Sequence, residues 1–359
     1  MALHFVPGVG DFLIKQLVSY CGSAEEVFRQ SKAKLIKIPG IGEITANAIR
    51  EGKIVDQALK EFRKAELEDT QILFFYDKAY PVRLKNIDDA PSMLYVKGNI
   101  NLNHLKSVAI VGTRQATSYG KEQVERLIEE LVPHQVLIIS GLAYGIDIHA
   151  HKQAMKQGLS TVGVLGSGID VIYPPTHKEI ARKMTNHGGL LTENHFGTAP
   201  DAHNFPARNR IIAGLCDALI VVEAAQKGGA LISAEIANSY NKDVFAIPGN
   251  LGHTFSEGCN KLIKTNKASL LVSVKDLEYI MNWKVGNEKP EVQPSFDLPL
   301  FGSDEQAVLK VLHEKNTPVM IDELSLKTGI AHGLLASLLL TMEFKNVVIS
   351  LPGKMYRRR

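Results

Sequence analysis

The sequence predicts an α/β fold: an extended Rossmann-like, doubly wound and mostly parallel sheet, preceded by a helical domain and followed by a winged helix. Three observations carry this. From Val108 onward short apolar runs alternate with helical stretches; a five-residue turn motif is repeated near the N-terminus; and helices with a closing hairpin follow a proline-rich stretch. With 359 residues the chain exceeds one ordinary core, so two or three domains are expected.

The repeat comes first. Val6-Pro7-Gly8-Val9-Gly10 recurs as Ile38-Pro39-Gly40-Ile41-Gly42, and each copy opens an apolar-periodic helix. Glycines there permit positive φ and leave backbone N–H groups open at a helix start, the pattern of a helix-hairpin-helix. Such hairpins often touch DNA phosphates without reading sequence, yet in many proteins they are scaffold, and scaffold is the simpler expectation here. Residues 1–68 are assigned to this helical, SAM-like domain, which closes with a polar helix from Gln57 to Glu68.

The main domain is placed at 69–283. It begins with a strand, Ile72 to Tyr76, and two proline turns at Tyr80-Pro81 and Ala90-Pro91. Seven apolar runs follow, starting at Val108, Val136, Thr161, Gly189, Ala218, Asp243 and Ser269. Runs apolar on both faces, separated by helical stretches, imply βαβ units and hence a parallel sheet covered on both sides.

Residues 284–302 hold three prolines and no period, and read as a linker. A winged helix is expected over 303–359: one helix capped by Ser303-Asp304-Glu305, two more from Ile321 to Thr328 and His332 to Phe344, then Val347-Val348-Ile349 and a Pro-Gly turn. The third helix has no basic residue before Lys345, which favours a protein-contact or packing role over groove reading. The tail Tyr356-Arg357-Arg358-Arg359 reads as a charged, frayed end rather than a phosphate contact.

Composition excludes several classes. The 45% apolar and 22% charged fractions are those of globular proteins, and no run approaches a membrane span of about 20 residues. The N-terminus lacks a secretory pattern, so a cytoplasmic protein is expected. Cys21, Cys216 and Cys259 form no CxxC pair and suggest neither disulfides nor zinc. A net charge of +3 leaves the partner open.

In a doubly wound sheet the ligand lies beyond the carboxyl ends of the strands. Those ends carry Gly112-Thr113-Arg114, Ser140-Gly141-Leu142-Ala143-Tyr144-Gly145-Ile146-Asp147, Gly166-Ser167-Gly168 and Gly228-Gly229-Ala230-Leu231-Ile232-Ser233. Small-residue loops at helix starts let backbone amides approach an anion, and several on one edge imply phosphates. Arg114, with Arg208 and Arg210 of Phe205-Pro206-Ala207-Arg208-Asn209-Arg210, adds cations that could clamp a backbone. The competing reading is that they brace loops through Asp147, Glu193 or Glu223. A nucleotide cofactor is not expected, because the first turn is not GxGxxG, no acidic ribose ligand follows the next strand and no Walker A lysine exists. His149 and His151 lack partners at metal-ligand spacing, so neither a metal nor a catalytic set is expected.

These residues resemble the DNA-processing protein A (DprA/Smf) family over nearly the whole chain. The likeness rests on Val111-Gly112-Thr113-Arg114, Ser140 to Asp147 with His151, Tyr173-Pro174, Phe205 to Gly214, and Ile247-Pro248-Gly249. It implies a protein that binds single-stranded DNA cooperatively, forms a homodimer through the Rossmann-like domain, protects incoming DNA and helps load the recombinase RecA in natural transformation. It further implies that Arg114 grips a phosphate, that Lys178 is a second basic position, and that the loop before Arg208 lines the groove. The chain departs from the family in three places. The usual Ser-Gly-Ser loop reads Gly228-Gly229-Ala230, Lys242 stands where arginine is common, and Lys267 replaces a glycine, so the amides of that loop must carry its contacts.

A second class is an enzyme that hydrolyses nucleoside monophosphates on a related fold, faintly echoed by Gly228-Gly229 with Glu235. The paired-glutamate signature is absent, and the Arg-Asn-Arg segment suits a polymer better. A non-enzymatic binder of single strands is therefore expected, with little base preference and salt-sensitive affinity.

Overall fold

The computed structural model describes residues 1–51, 53–284, 302–315, 318–345, 347–351 and 354–358. Apart from its two ends, the predicted linker lies outside the described residues, as do Pro352-Gly353 and Arg359. There are two compact units, 1–286 and 287–359.

The first unit opens with a 3-10 turn, Ala2–Phe5, and five helices: α1 (Asp11–Cys21), α2 (Ala24–Arg29), α3 (Lys32–Leu35), α4 (Glu43–Arg50) and α5 (Lys53–Leu67). Gly8 and Gly40, at φ 76° and 81°, reverse the chain ahead of α1 and α4. The repeat thus forms two hairpins around a shared core that includes Leu17, Val27, Leu35, Ala46 and Ile49. Each of α1 and α4 starts with an acid, Asp11 or Glu43, which suits the helix dipole and opposes an incoming phosphate. Asp11 accepts from both Ser92 N and Ser92 Oγ at 2.7 Å, and Lys15 donates to the Asp88 and Ala90 carbonyls at 3.1 and 3.0 Å. The first hairpin is therefore fastened to the sheet domain, which supports the scaffold reading.

Nine strands follow: β1 (Thr70–Phe74), β2 (Met93–Lys97), β3 (Ser107–Val111), β4 (Leu137–Ser140), β5 (Thr161–Val164), β6 (Gly188–Thr192), β7 (Ala218–Val221), β8 (Asp243–Ala246) and β9 (Ser269–Leu270). They form one sheet in the order β1-β2-β6-β5-β4-β3-β7-β8-β9. The seven runs read from the sequence are β3 to β9, and they pair with one another in parallel. β1 pairs antiparallel with β2, and β2 with β6. Sequence reading missed β2, a single short run behind Pro91 with no helix separating it from β3, so the βαβ alternation that exposed the others gives it no signal. β1 also ends earlier than expected, at Phe74, because Asp77 turns the chain by accepting from Phe74 N at 2.8 Å.

The connecting helices are α6 (Val82–Lys85), α7 (Ser118–Leu131), α8 (Ile146–Lys156), α9 (Lys178–Met184), α10 (Asn204–Leu215), α11 (Gly229–Ser239), α12 (Glu257–Lys264) and α13 (Val274–Met281). Alternate strand residues face opposite layers. Ala109, Val111, Ile139, Val162 and Val221 pack with Ile211, Ala234 and Leu262 of α10, α11 and α12. Val108, Ile110, Ile138 and Ile220 pack with Leu127, Ala150 and Leu277 of α7, α8 and α13. Burial on both faces is why these strands read as continuous apolar runs. The chain winds from β3 out to β6 and then returns to the far side of β3 as β7. Winding direction reverses between β3 and β7, and a crevice opens there beyond the strand ends.

The second unit holds α14 (Ser303–Lys315), β10 (Val319–Met320), α15 (Ile321–Thr328), α16 (His332–Phe344), β11 (Val348–Leu351) and β12 (Met355–Arg358), with strands ordered β10-β12-β11. This is the winged helix, built on Val308, Leu312, Leu324, Leu335, Leu339 and Met342. In α16, Leu334, Leu340 and Phe344 remain exposed and no cation is present, which suits a protein contact better than a DNA groove. Among the described residues, no single helix is long and apolar enough to cross a membrane.

Candidate functional site

A cavity of about 730 Å³ occupies the crevice at the ends of β3 and β7. Its lining brings together Gly112, Thr113, Arg114, Phe205, Arg208, Asn209, Gly228, Gly229 and Ala230. Lys227, Tyr173 and Phe255 line it too. None of these three was singled out as a site residue from the sequence, although a cation directly before a glycine pair was a usable signal for Lys227.

Close backbone packing fixes the first loop. A Cβ on Gly112 would lie 2.5 Å from Ile146, and one on Gly145, at φ 77°, would lie 2.2 Å from the Thr113 carbonyl. Thr113 N donates to the Glu223 carbonyl at 2.7 Å, and Ile146 N donates to the Thr113 carbonyl at 3.2 Å. Arg114 thus leaves a rigid turn, is exposed, and has its guanidinium carbon 5.8 Å from the Phe205 ring centroid. The second loop is open. A Cβ on Gly228 or Gly229 would meet no protein atom within 4 Å, so a ligand has room to approach the backbone closely at the start of α11.

The floor is ionic and buried. Arg208, 6% exposed, donates to the Gly141 carbonyl at 2.6 Å and to the Val164 carbonyl, and to Asn209 Oδ1 at 3.3 Å. Asp147 accepts from Gly141 N at 3.2 Å. Burial draws the Arg208 guanidinium down to about 10, with Asp147 opposing that fall, and burial pushes the Asp147 carboxyl up. Arg208 therefore props the loops after β4 and β5 from beneath. Asn209 reaches the Gly229 carbonyl at 3.5 Å and ties α10 to the glycine loop. Of the four charged lining residues, Arg114, Lys227, Arg208 and Asp147, three are cations, and the two exposed ones are Arg114 and Lys227.

Other expected site residues lie elsewhere. Ser140 is fully buried and spends its hydroxyl on the Ile110 carbonyl at 2.6 Å, and Gly141 is pressed against the Arg208 guanidinium, so both support the site from behind. Arg210 points away from the cavity. It pairs with Glu193 and lies 3.6 Å from Asp11 and 4.0 Å from Asp89, beside a Glu193 carboxyl that burial pushes up to about 7. Lys178 is exposed at the start of α9, outside the cavity lining. Lys242 precedes β8 and so sits at the opposite end of the strands, beside a second cavity of about 500 Å³ shared with Lys267 and Tyr279. Glu235, which a nucleotide hydrolase would need, is ion-paired to Lys267 at 2.6 Å and is not in the cavity lining. His151 is buried against Thr161 Oγ1 at 2.7 Å and held neutral by burial, down at about 3, while His149 meets Glu125 at 3.0 Å, so both histidines pack helices.

Comparison with known proteins bears on the family and the fold. Residues 71–282 match the family described as DNA recombination-mediator protein A, residues 2–52 a SAM-like helix-hairpin-helix tandem, and residues 289–354 the DprA winged helix domain. Protein Smf of Synechocystis is 31% identical over 398 residues, spanning 100% of this chain and 98% of its own length. DNA processing protein DprA of Streptococcus pneumoniae is 43% identical over 201 residues, 56% of this chain and 71% of that protein. Its crystal structure superposes with a TM-score of 0.70 at 33% identity, covering 79% of this chain and 97% of that one. DNA processing protein A of Helicobacter pylori, whose structure addresses its single-stranded DNA binding mode, gives 0.54 at 29% identity, covering 59% and 95%. The chain belongs to the DNA-processing protein A (DprA/Smf) family.

Proposed function

We propose that this member of the family binds single-stranded DNA in the crevice between β3 and β7, protects incoming strands inside the cell and helps load RecA during natural transformation. One observation carries the reading: two exposed cations, Arg114 and Lys227, and the uncrowded glycine backbone of Gly228 and Gly229 at the start of α11 line one cavity. Such groups recognise phosphate and carry no base code, and the printed subject of the Helicobacter pylori structure points the same way. The direct contacts are assigned to Gly112, Thr113, Arg114, Phe205, Asn209, Gly228, Gly229 and Ala230, with Lys227 added. Ser140, Gly141 and Arg208 act as props, Lys178 as an outlying cation on the strand's path, and Arg210 and Lys242 take no part in the groove. Oligonucleotide titration at several salt concentrations tests this. Single strands should bind more tightly than duplex with little base preference, and log affinity should fall linearly with log salt. Tight, sequence-specific duplex binding that survives high salt would overturn it.

The same reading includes a homodimer through the α/β unit. Leu270, Val272, Tyr279 and Ile280 are exposed around β9 and α13, where β9 is a short edge strand, and Tyr279 is 88% exposed. A clustered apolar edge of this kind suits a self-complementary contact. Light scattering at micromolar concentration should return twice the chain mass, and Tyr279→Glu should return a monomer. A monomeric parent chain would contradict the proposal.

A further inference from the structure

Two aromatic side chains of the cavity lining, Phe205 and Tyr173, and a third outside it, Tyr144, lie at the ligand edge of the sheet. Phe205 starts α10 against the Arg114 guanidinium; the Tyr173 ring lies 5.7 Å from that of Phe205, tilted by 41°. Tyr173 follows β5, and four residues on, His177 carries the ring of Tyr144, which follows β4, at 4.9 Å and 71°. The Thr176 hydroxyl donates to Tyr144 Oη at 3.2 Å and fixes that ring further. Each tyrosine is therefore held along one side by protein, yet Tyr144 is 45% and Tyr173 43% exposed. A single exposed aromatic needs no explanation, but half-exposed rings held at the mouth of a cationic cavity do.

We infer that Tyr173, Tyr144 and Phe205 form a base-stacking track, on which bases of a strand rest while its phosphates are held by Arg114, Lys227 and the Gly228-Gly229 amides. The inference deepens the single-strand reading and rests on it. Its physical content is a division of labour. Phosphate contacts give salt-dependent affinity shared by any polyanion, whereas stacking needs unpaired bases and so discriminates against duplex, in which base faces are already occupied. The tyrosines supply flat faces that every base can use, so no sequence preference follows.

The experiment titrates the full chain with oligothymidylate and with an abasic deoxyribose-phosphate strand of equal length. Tyr173→Ala and Tyr144→Ala should each weaken oligothymidylate binding roughly five- to hundredfold, the range of one base–ring stack. Both should leave abasic-strand affinity and the salt slope unchanged. Tyr173→Phe and Tyr144→Phe, which keep the ring, should bind oligothymidylate like the parent. Alanine variants that bind oligothymidylate normally, or that lose the abasic strand equally, would overturn the track while leaving the phosphate site intact. A parent chain that binds neither strand would overturn the single-strand reading and the track together.

Discussion

Arg208→Met should destabilise the α/β unit by about 3–5 kcal/mol, the usual result of removing one partner from a buried charged set. Two carbonyls, of Gly141 and Val164, would lose their donor, and the Asp147 carboxyl would stay buried without its opposing cation. Methionine fills the stem's volume, so the loss comes from unsatisfied polar groups rather than from a hole. At the entropy of unfolding for a unit of this size, the melting temperature should drop by roughly 5–8 °C. Adding Asp147→Asn should recover part of the loss, because the two residues share one network and their effects do not add. Scanning calorimetry on the single and double variants checks this. A normal melting temperature with lost DNA affinity would instead make Arg208 a direct ligand.

That contrast shows what the sequence could reveal about the site. Its two glycine-rich loops were legible because each follows a doubly buried apolar run, and the winding rule places such loops at one sheet edge. Which arginine of α10 faces the crevice was not legible. Arg208 and Arg210 are two residues apart and so project about 200° apart around the helix, which sends one beneath the cavity and the other toward Asp11 and Glu193. Only tertiary packing decides the rotation of a helix that is apolar on most of its circumference. Lys242 is a different kind of miss. A residue directly before a parallel strand lies at the edge opposite the ligand, so its place followed from topology once Asp243 was read as a strand start. The hairpins divide similarly. Their turns were spelled by Pro-Gly-φ-Gly, but the anchoring of Asp11 to Ser92, a residue 81 positions away, was not available to any local pattern.

Arg114→Ala should show the converse of the Arg208 result: unchanged folding and weakened binding. Arg114 is exposed, and among the described residues no carboxylate pairs with it, so nothing buried loses a partner when it is removed. The turn that presents it is held by the backbone bonds of Thr113 to Glu223 and Ile146 and by the close fit of Gly145, none of which involves the guanidinium. Removing one phosphate contact removes one released counterion, so the log–log salt slope for single strands should flatten by about 0.7, with affinity reduced by a similar factor for every oligonucleotide. Arg114→Lys should restore the slope because it restores the charge, while affinity stays below that of the parent because an ammonium cannot match the guanidinium's bidentate hold on phosphate. Measuring melting temperature and salt slope on the same preparations separates the two roles. A lowered melting temperature with unchanged affinity would make Arg114 a loop brace and take it out of the proposed interface.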